Sequence, residues 1–262
     1  MTRSLNRFHG KSVHVTGGAT GVGFATARRF ASEGARVVIS GRREDVGRQA
    51  EEQLRAEGLE VRFVAGDVSE EQQVKRMIGL TVEWNGGLDV LVNNAAASNT
   101  ISFLGADRAK WKQVFDIIVD GTYFCSQEAA QYMVANRVRG NIINVSSING
   151  YRALEYSSHY NAAKGAMDQL TRNMALELME HGIRVNGLSL GFIDTPMSVV
   201  DGVKEFDTDW FQSIYVGRKK IPQQRPGQPD EVAAAIAFLA SEDASYICGA
   251  LIPVDGGLSI TF

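Results

Sequence analysis

Short apolar segments alternate with longer stretches of helical periodicity along the whole chain. The apolar segments are rich in valine and isoleucine, which is typical of strands buried on both faces of a parallel sheet. Seven of them stand out: SVHVT from Ser12, RVVIS from Arg36, EVRFVA from Glu60, LDVLVN from Leu88, NIINVS from Asn141, IRVNGLSL from Ile183 and ALIPV from Ala250. The alternation predicts a doubly wound α/β fold, a parallel sheet with helices on both faces.

The joints between these elements carry signals of their own. The segments EGARV, EGLEV and HGIRV each place a glycine (Gly34, Gly58 or Gly182) between a helical pattern and a strand. Glycine accepts the left-handed conformation that ends many helices, so each predicts a helix end. Ser69 has capping-box spacing to the glutamine three residues later, and Pro229 precedes two acidic residues, so both predict a helix start.

The pattern predicts one domain over residues 1–262, because no linker, repeat or low-complexity segment interrupts it. Residues 195–225 follow the pattern least well, since they mix proline, glycine, lysine and aromatic residues. Such a segment is typical of a loop that carries function. We expect it to form a lid that covers the substrate.

The composition is that of an ordinary globular protein. Of the 262 residues, 44% are hydrophobic and 22% are charged, and the net charge of −3 gives no electrostatic reason to expect nucleic acid or a membrane as partner. No apolar run is long enough to span a bilayer, and the start, MTRSLNRFHGKS, lacks the apolar core of a signal peptide. Two distant cysteines, Cys125 and Cys248, favour a reducing cytoplasm, and four scattered histidines predict no metal site.

A glycine-rich turn, TGGATGVG, follows the first predicted strand and opens a helical pattern. Gly17, Gly21 and Gly23 allow the backbone to turn tightly and to approach a pyrophosphate, while the helix start presents free N–H groups to it. A glycine-rich turn alone also fits an ordinary strand–helix loop. Its position directly after the first strand favours dinucleotide binding.

The end of the second predicted strand, VVISGRR, bears on the choice of dinucleotide. Many NAD-binding sheets have an acidic residue there, which accepts hydrogen bonds from the adenosine ribose. Here Gly41 is followed by Arg42 and Arg43, and a guanidinium fork matches a phosphate better than a hydroxyl. This favours NADP(H), with NAD(H) possible. A basic residue in the glycine-rich turn would strengthen this argument, but the turn has Thr20 instead. The two arginines also fit solvated charges at a helix start.

Six motifs in this order resemble those of the short-chain dehydrogenase/reductases over nearly the whole chain. They are TGGATGVG, GDV at 66–68, NNAA at 93–96, the serine pair ending at Ser147, YNAAK at 160–164 and GFIDTP at 191–196. The C-terminal stretch from RPGQPDEV to VDGG is also similar. The resemblance implies a seven-stranded sheet, a nicotinamide cofactor, a small-molecule substrate, and a homotetramer or homodimer.

The resemblance also implies how the cofactor is held. It assigns Asp67 and Val68 to the adenine, Asn93 to the sheet centre beside the cofactor, and Thr195 to the nicotinamide carboxamide. Asp67 also fits a turn residue after the third strand, and Asn93 a buried amide that joins strand ends. The predicted cofactor-binding set is Gly17, Thr20, Gly21, Val22, Gly23, Arg42, Arg43, Asp67, Val68, Asn93, Ala95, Tyr160, Lys164, Gly191, Ile193 and Thr195.

The predicted catalytic residues are Ser147, Tyr160 and Lys164. Tyr160 and Lys164 share a helix face if residues 156–180 are helical, but such a pair is common by itself. Ser147 ends the fifth strand thirteen residues earlier, which is the spacing that the family uses. The resemblance implies that Tyr160 gives a proton to a ketone oxygen, that Lys164 lowers the tyrosine pKa, and that Ser147 hydrogen-bonds the substrate oxygen. The predicted activity interconverts a carbonyl and a secondary alcohol.

Ile118 departs from the family pattern, because the family often has an asparagine there that holds a proton-relay water. Isoleucine forms no hydrogen bonds. This motivates one alternative, a cofactor-binding sensor or scaffold without useful catalysis. A reductase of C=C bonds is a separate alternative, although the resemblance to the enoyl reductases of the family, with their wider Tyr–Lys spacing, is poorer. Near the substrate, the aromatic side chains of Trp210, Phe211 and Tyr215 fit either a cover over the substrate or internal packing.

Overall fold

Parallel strands form one central sheet in this computed structural model, which describes residues 6–98, 100–105, 107–200 and 202–261. The strands are β1 (Ser12–Thr16), β2 (Arg36–Gly41), β3 (Val61–Ala65), β4 (Val90–Asn93), β5 (Asn141–Ser147), β6 (Arg184–Leu190), β7 (Val199–Val200), β8 (Val203–Lys204) and β9 (Leu251–Val254). The central sheet has seven strands in the order β3-β2-β1-β4-β5-β6-β9, all parallel, whereas β7 and β8 form a short antiparallel hairpin. Each of the seven apolar segments forms one strand of this sheet, which confirms the predicted fold.

Helices cover both faces of the sheet. They are α1 (Gly21–Ser32), α2 (Glu44–Ala56), α3 (Glu71–Asn85), α4 (Arg108–Phe115), α5 (Gly121–Ala135), α6 (Ser158–Leu178), α7 (Asp209–Phe211) and α8 (Pro229–Ala240). A π-helical turn, Asp116–Asp120, joins α4 to α5 without a break. Within the described ranges, no helix combines the length and the apolarity that a membrane crossing needs.

The alternation of side chains along the strands divides the core into two layers. Val37 and Ile39 face the layer under α1, α2 and α8, whereas Val38 between them faces the layer under α3, α5 and α6. Phe30 of α1 and Met133 of α5, both fully buried, fill the two layers. Because both faces of each strand are buried, the strands read as continuous apolar runs in the sequence.

The predicted joints are confirmed in part. Gly34, Gly58 and Gly182 have φ angles of +92°, +81° and +74°, in the left-handed region that the sequence predicted. Pro229 occupies the first turn of α8. The prediction for Ser69 is wrong, because α3 begins two residues later and the Ser69 hydroxyl instead donates to the Asp67 carboxylate.

The 195–225 segment consists of the β7–β8 hairpin, two 3₁₀ turns, α7 and a π-helical turn at Gln212–Gly217. Asp201, in this segment, lies outside the described residues. Phe206 and Phe211 pack with Phe192, which follows β6, at ring-centroid distances of 6.1 and 5.1 Å, and with each other at 4.8 Å. These contacts hold the segment against the carboxyl end of the sheet. Its role as a lid stays a prediction.

A histidine in the centre of the sheet makes the fold sensitive to acid. His14 of β1 is fully buried, with Nδ1 2.7 Å from Thr81 Oγ1 and Nε2 3.0 Å from Ser40 Oγ. The Thr81 hydroxyl donates to the Met77 carbonyl, so it accepts from His14 Nδ1. A neutral imidazole thus forms hydrogen bonds with the hydroxyls of both Thr81 and Ser40. Burial lowers the pKa of His14 to about 4.

We therefore expect the His14→Gln variant to lose part of the pH dependence of stability. The folded-state pKa lies below the unfolded value of 6.5, so the unfolded chain binds the extra proton first as the pH falls. The wild-type free energy of unfolding should drop by about 2 kcal/mol more than that of the variant between pH 7.5 and pH 5. Urea unfolding at both pH values measures this, and equal drops in the two proteins would refute it.

Candidate active site

A cavity of about 1380 Å³ opens at the carboxyl ends of the central strands. Residues that follow β1, β2, β3, β4, β5 and β6 all line it, because parallel strands end at the same edge of a sheet. All of the residues predicted to bind cofactor or to act in catalysis line this cavity except Gly23 and Asn93. It is larger than the pockets that hold most drug-sized ligands, and leaves room for a dinucleotide together with a small substrate.

The glycine-rich turn forms one wall of this cavity. Gly17 and Gly21 have φ angles of +62° and +54°, which glycine adopts without strain. A Cβ atom at Gly23 would lie 2.3 Å from the Gly17 carbonyl oxygen, so only glycine allows α1 to start this close to β1. Among the described residues, the Thr20 side chain caps none of the free N–H groups at the start of α1. These groups fit an anionic pyrophosphate.

Asn94 holds the glycine-rich turn against the end of β4. Its Nδ2 donates to the carbonyl oxygens of Thr16 and Gly17, at 2.9 and 3.0 Å, and its backbone N–H donates to Thr16 Oγ1. Sequence reasoning selected Asn93 instead, but the Asn93 amide is buried and donates to Ser126 and Asn144. Asn93 thus joins strands β4 and β5 behind the cavity, while Asn94 lines it.

Charged side chains lie at the β2 and β3 end of the cavity. Arg42 and Arg43 follow β2 and line the cavity, and Arg42 Nη1 lies 3.7 Å from Asp67 Oδ2. Asp67 Oδ1 accepts hydrogen bonds from the backbone and the hydroxyl of Ser69, so Asp67 is also a turn residue. A Cβ at Gly41 would meet no described atom within 4 Å. This end therefore has open space beside two exposed arginines, of which Arg42 has only the long ion pair with Asp67.

Ser147, Tyr160 and Lys164 converge at the β5 end. Ser147 is the last residue of β5, and Tyr160 and Lys164 share the first turns of α6. The Ser147 hydroxyl lies 3.3 Å from the Leu190 carbonyl oxygen and hydrogen-bonds Tyr160. Lys164 Nζ donates to the Val145 carbonyl oxygen at 2.7 Å and lies 5.6 Å from the centre of the Tyr160 ring. The three functional groups thus face one end of the cavity.

Burial controls the ionisation of this trio. It raises the pKa of Tyr160 to about 12, against a smaller opposite effect of the hydrogen bond with Ser147. It lowers the pKa of Lys164 to about 8, although the Asp168 carboxylate acts to raise it. The sequence predicted a lowered tyrosine pKa, and the described residues by themselves give the opposite direction. At Tyr160 burial outweighs the hydrogen bond with Ser147, because the tyrosinate loses more solvation by water than the neutral hydroxyl does.

Asp168 lies one helical turn after Lys164 and was missed at the sequence level. Its buried carboxylate accepts a hydrogen bond from the Ser146 hydroxyl, and burial raises its pKa. The spacing of four residues between Lys164 and Asp168 could have predicted this interaction, because it places both side chains on one face of α6. The Asp168 carboxylate partly offsets the effect of burial on the pKa of Lys164.

Ile118 lies in the π-helical turn beside this trio and is fully buried. It packs in a small apolar cluster with Ala163, Met167 and Tyr160. The position at which the family resemblance implied an asparagine is therefore filled by hydrocarbon.

The aromatic residues of the 195–225 segment divide between the two predicted roles. Phe211 is fully buried and packs among other rings, so it is an internal packing residue. Tyr215 is also buried but lines the cavity. Trp210 is half-exposed, and its ring meets the Tyr215 ring edge-on at 5.3 Å. In the part of the chain that the structure describes, no group of acidic, histidine and cysteine side chains is arranged to hold a metal ion.

The residues present fit an extended dinucleotide. A Cβ at Gly21 would lie 3.1 Å from Thr195 Cγ2, so the loop after β6 closes directly over the glycine-rich turn. The cavity continues from this turn in two directions, towards Arg42 and towards Tyr160. A nicotinamide dinucleotide has the corresponding three parts, a central pyrophosphate, an adenosine and a nicotinamide riboside.

Known proteins that this chain is similar to are described as dehydrogenases or reductases. A family model described as enoyl-(acyl carrier protein) reductase matches residues 17–259. Glucose 1-dehydrogenase of Gluconobacter oxydans is 38% identical over 97% of this chain and 94% of its own length. Meso-2,3-butanediol dehydrogenase of Serratia marcescens is 37% identical over 96% and 95%. The crystal structure of a short-chain type dehydrogenase/reductase from Mycobacterium marinum superposes with a TM-score of 0.90, at 30% identity over 98% of this chain and 99% of that one.

The matches extend over nearly the whole chain, and the fold agrees with them. The chain therefore belongs to the short-chain dehydrogenase/reductase family and is an oxidoreductase that acts on an alcohol or ketone with a nicotinamide cofactor.

Proposed function

We propose that the protein is an NADP(H)-preferring dehydrogenase that interconverts a carbonyl and a secondary alcohol, with Tyr160 as its general acid and base. The observation that carries this proposal is the convergence of Ser147, Tyr160 and Lys164 at the end of a cavity that begins at the glycine-rich turn. The names of two relatives support the reaction class, because glucose and meso-2,3-butanediol both carry oxidisable alcohol groups.

In the proposed mechanism each of the three side chains has a separate role. When bound, the cofactor supplies the hydride in reduction and accepts it in oxidation. Tyr160 holds its proton at neutral pH, because burial raises its pKa, and donates it to the carbonyl oxygen. Ser147 donates a hydrogen bond to the same oxygen, where negative charge develops. The ammonium of Lys164 favours transfer of the proton, because it stabilises the tyrosinate that remains.

The preference for NADP(H) rests on Arg42 and Arg43. Both line the β2 end of the cavity, and neither is buried. In the proposed complex, Arg42 exchanges its long contact with Asp67 for a charge-assisted hydrogen bond to the 2′-phosphate. Residues 195–225 cover the substrate as a lid in this proposal. Assembly into a homotetramer or homodimer stays a prediction.

Replacement of Tyr160 by phenylalanine tests the general acid. The Tyr160→Phe variant should reduce a ketone about 10²- to 10⁴-fold more slowly, because the transferred proton is lost, while cofactor binding is retained. Steady-state kinetics and a cofactor titration measure the two properties. Tyr246→Phe, at a fully exposed tyrosine, is the matched control and should behave as wild type. Wild-type turnover by Tyr160→Phe would refute the mechanism.

The two reaction directions should differ in pH dependence. Alcohol oxidation needs deprotonated Tyr160, whose pKa is raised to about 12, so kcat/KM for oxidation should rise between pH 6 and pH 8, by up to about tenfold per pH unit. Carbonyl reduction uses the protonated form and should stay nearly constant there. Parallel pH profiles in both directions measure this, and an equal rise in reduction would contradict the assignment.

Replacement of Arg42 tests the choice of cofactor. Arg42→Ala should weaken NADPH binding by about 10- to 100-fold, because a charged hydrogen bond is lost, and leave NADH binding almost unchanged. Arg48→Ala is the control, since Arg48 is exposed on α2 and lies outside the cavity lining. Fluorescence titration gives the dissociation constants. If the wild-type protein binds NADH as tightly as NADPH, Arg42 and Arg43 are solvated charges and do not select the cofactor.

Reduction of a C=C bond is the second candidate, because the matching family model is described as an enoyl reductase. An enone distinguishes the two reactions directly. An allylic alcohol as product supports the proposed function, whereas a saturated ketone supports the alternative. Absence of any product across a panel of carbonyls, with tight NADPH binding, would favour a sensor without catalysis, for which the buried Ile118 is the motivation.

A further inference from the structure

A carboxylate of the 195–225 segment faces the cavity and has no role in the mechanism above. Glu205 follows the β7–β8 hairpin and lines the same cavity as Ser147 and Tyr160. The preceding residue, Lys204, forms an ion pair of 2.8 Å with Asp194, just after β6. This ion pair fixes the hairpin to the end of the central sheet, so Glu205 is presented from an anchored element.

The Glu205 carboxyl is half-buried without a partner. Among the residues that the structure describes, none donates a hydrogen bond to it or forms an ion pair with it. Burial raises its pKa, and its charge adds to the effect of burial in raising the pKa of Tyr215, which lines the same cavity. A polar group that is removed from water without a hydrogen bond destabilises the protein, unless a ligand supplies the bond.

The surroundings of Glu205 select the kind of ligand. Phe192, Phe206 and Tyr215 line this part of the cavity with aromatic surface, which suits C–H groups. Arg152 and Lys220 also line the cavity, and within the described ranges neither is paired with a carboxylate. Their charge disfavours a positively charged substrate in the cavity as a whole. An uncharged donor of hydrogen bonds satisfies Glu205 without meeting this repulsion.

We propose that Glu205 binds a second hydroxyl group of the substrate, so that the substrate is a vicinal diol, a polyol or a sugar rather than a simple secondary alcohol. The inference rests on the proposed function for the reacting hydroxyl, which Tyr160 and Ser147 bind. A simple alcohol would leave the carboxyl buried and unpaired, and sites built to bind a hydroxyl discriminate strongly against analogues that lack it.

The test compares meso-2,3-butanediol with 2-butanol, which lacks one hydroxyl. Glu205→Leu should lower kcat/KM for the diol by about 10- to 100-fold and leave that for 2-butanol unchanged or higher. Glu205→Gln keeps an acceptor without the charge and should retain most of the activity on the diol. Asp207→Asn is the matched control, since Asp207 belongs to the same 3₁₀ turn but is exposed and does not line the cavity.

Binding separates this inference from the proposed function. Trp210 contacts Tyr215, so its fluorescence reports diol binding to the protein–NADP⁺ complex without any turnover. Selective binding of the diol that Glu205→Leu abolishes supports the inference, even if no alcohol is oxidised and the proposed function fails. Equal binding of diol and 2-butanol, unchanged selectivity in Glu205→Leu, or preference for 3-amino-2-butanol with loss in Glu205→Gln would overturn it.

Discussion

The parallel pairing of β1, β4, β5 and β6 is the constraint on which the site depends. Because these strands run in one direction, their carboxyl ends meet at one edge of the sheet. The glycine-rich turn, Asn94, Ser147 and Leu190 follow or end different strands, and register alone brings them together. The hydrogen bonds from Asn94 to the carbonyl oxygens of Thr16 and Gly17 then hold the turn in place. No single segment of the chain could form this site.

Burial is the second determinant, because it shifts the ionisation of Tyr160 and Lys164. Tyr160 and Lys164 are removed from water at the start of α6, so the pKa of the tyrosine rises and that of the lysine falls. The carboxylate of Asp168, on the same helix, acts to raise the pKa of Lys164. Burial also raises the pKa of Glu205, which lines the same cavity. The Ser147, Tyr160 and Lys164 end of the cavity is therefore suited to proton transfer, whereas Arg42 and Arg43 line its other end.

Much of the fold and part of the site could be predicted from the sequence, since the signals involved are local. Strand β1 has the bounds that its apolar run predicted, and Gly34 has the left-handed φ that its position predicted. Spacing alone placed Tyr160 and Lys164 on one helix face, and α6 extends over Ser158–Leu178. Such signals act within a few residues, and burial on both faces of the sheet makes them strong.

Other features were decided by tertiary structure, because they depend on residues distant in the chain. Asn93 ends β4 and Asn94 follows it, and both belong to the NNAA motif. Only the packing of β1, β4 and β5 turned Asn93 inward and Asn94 towards the cavity. Ser69 had the spacing of a helix cap, but Asp67 competes for its hydroxyl. The direction of the pKa shift at Tyr160 follows from desolvation by several elements. The sequence by itself determined the elements and the chemical groups, whereas burial and long-range contact decided their partners and ionisation, because both arise only when the layers pack.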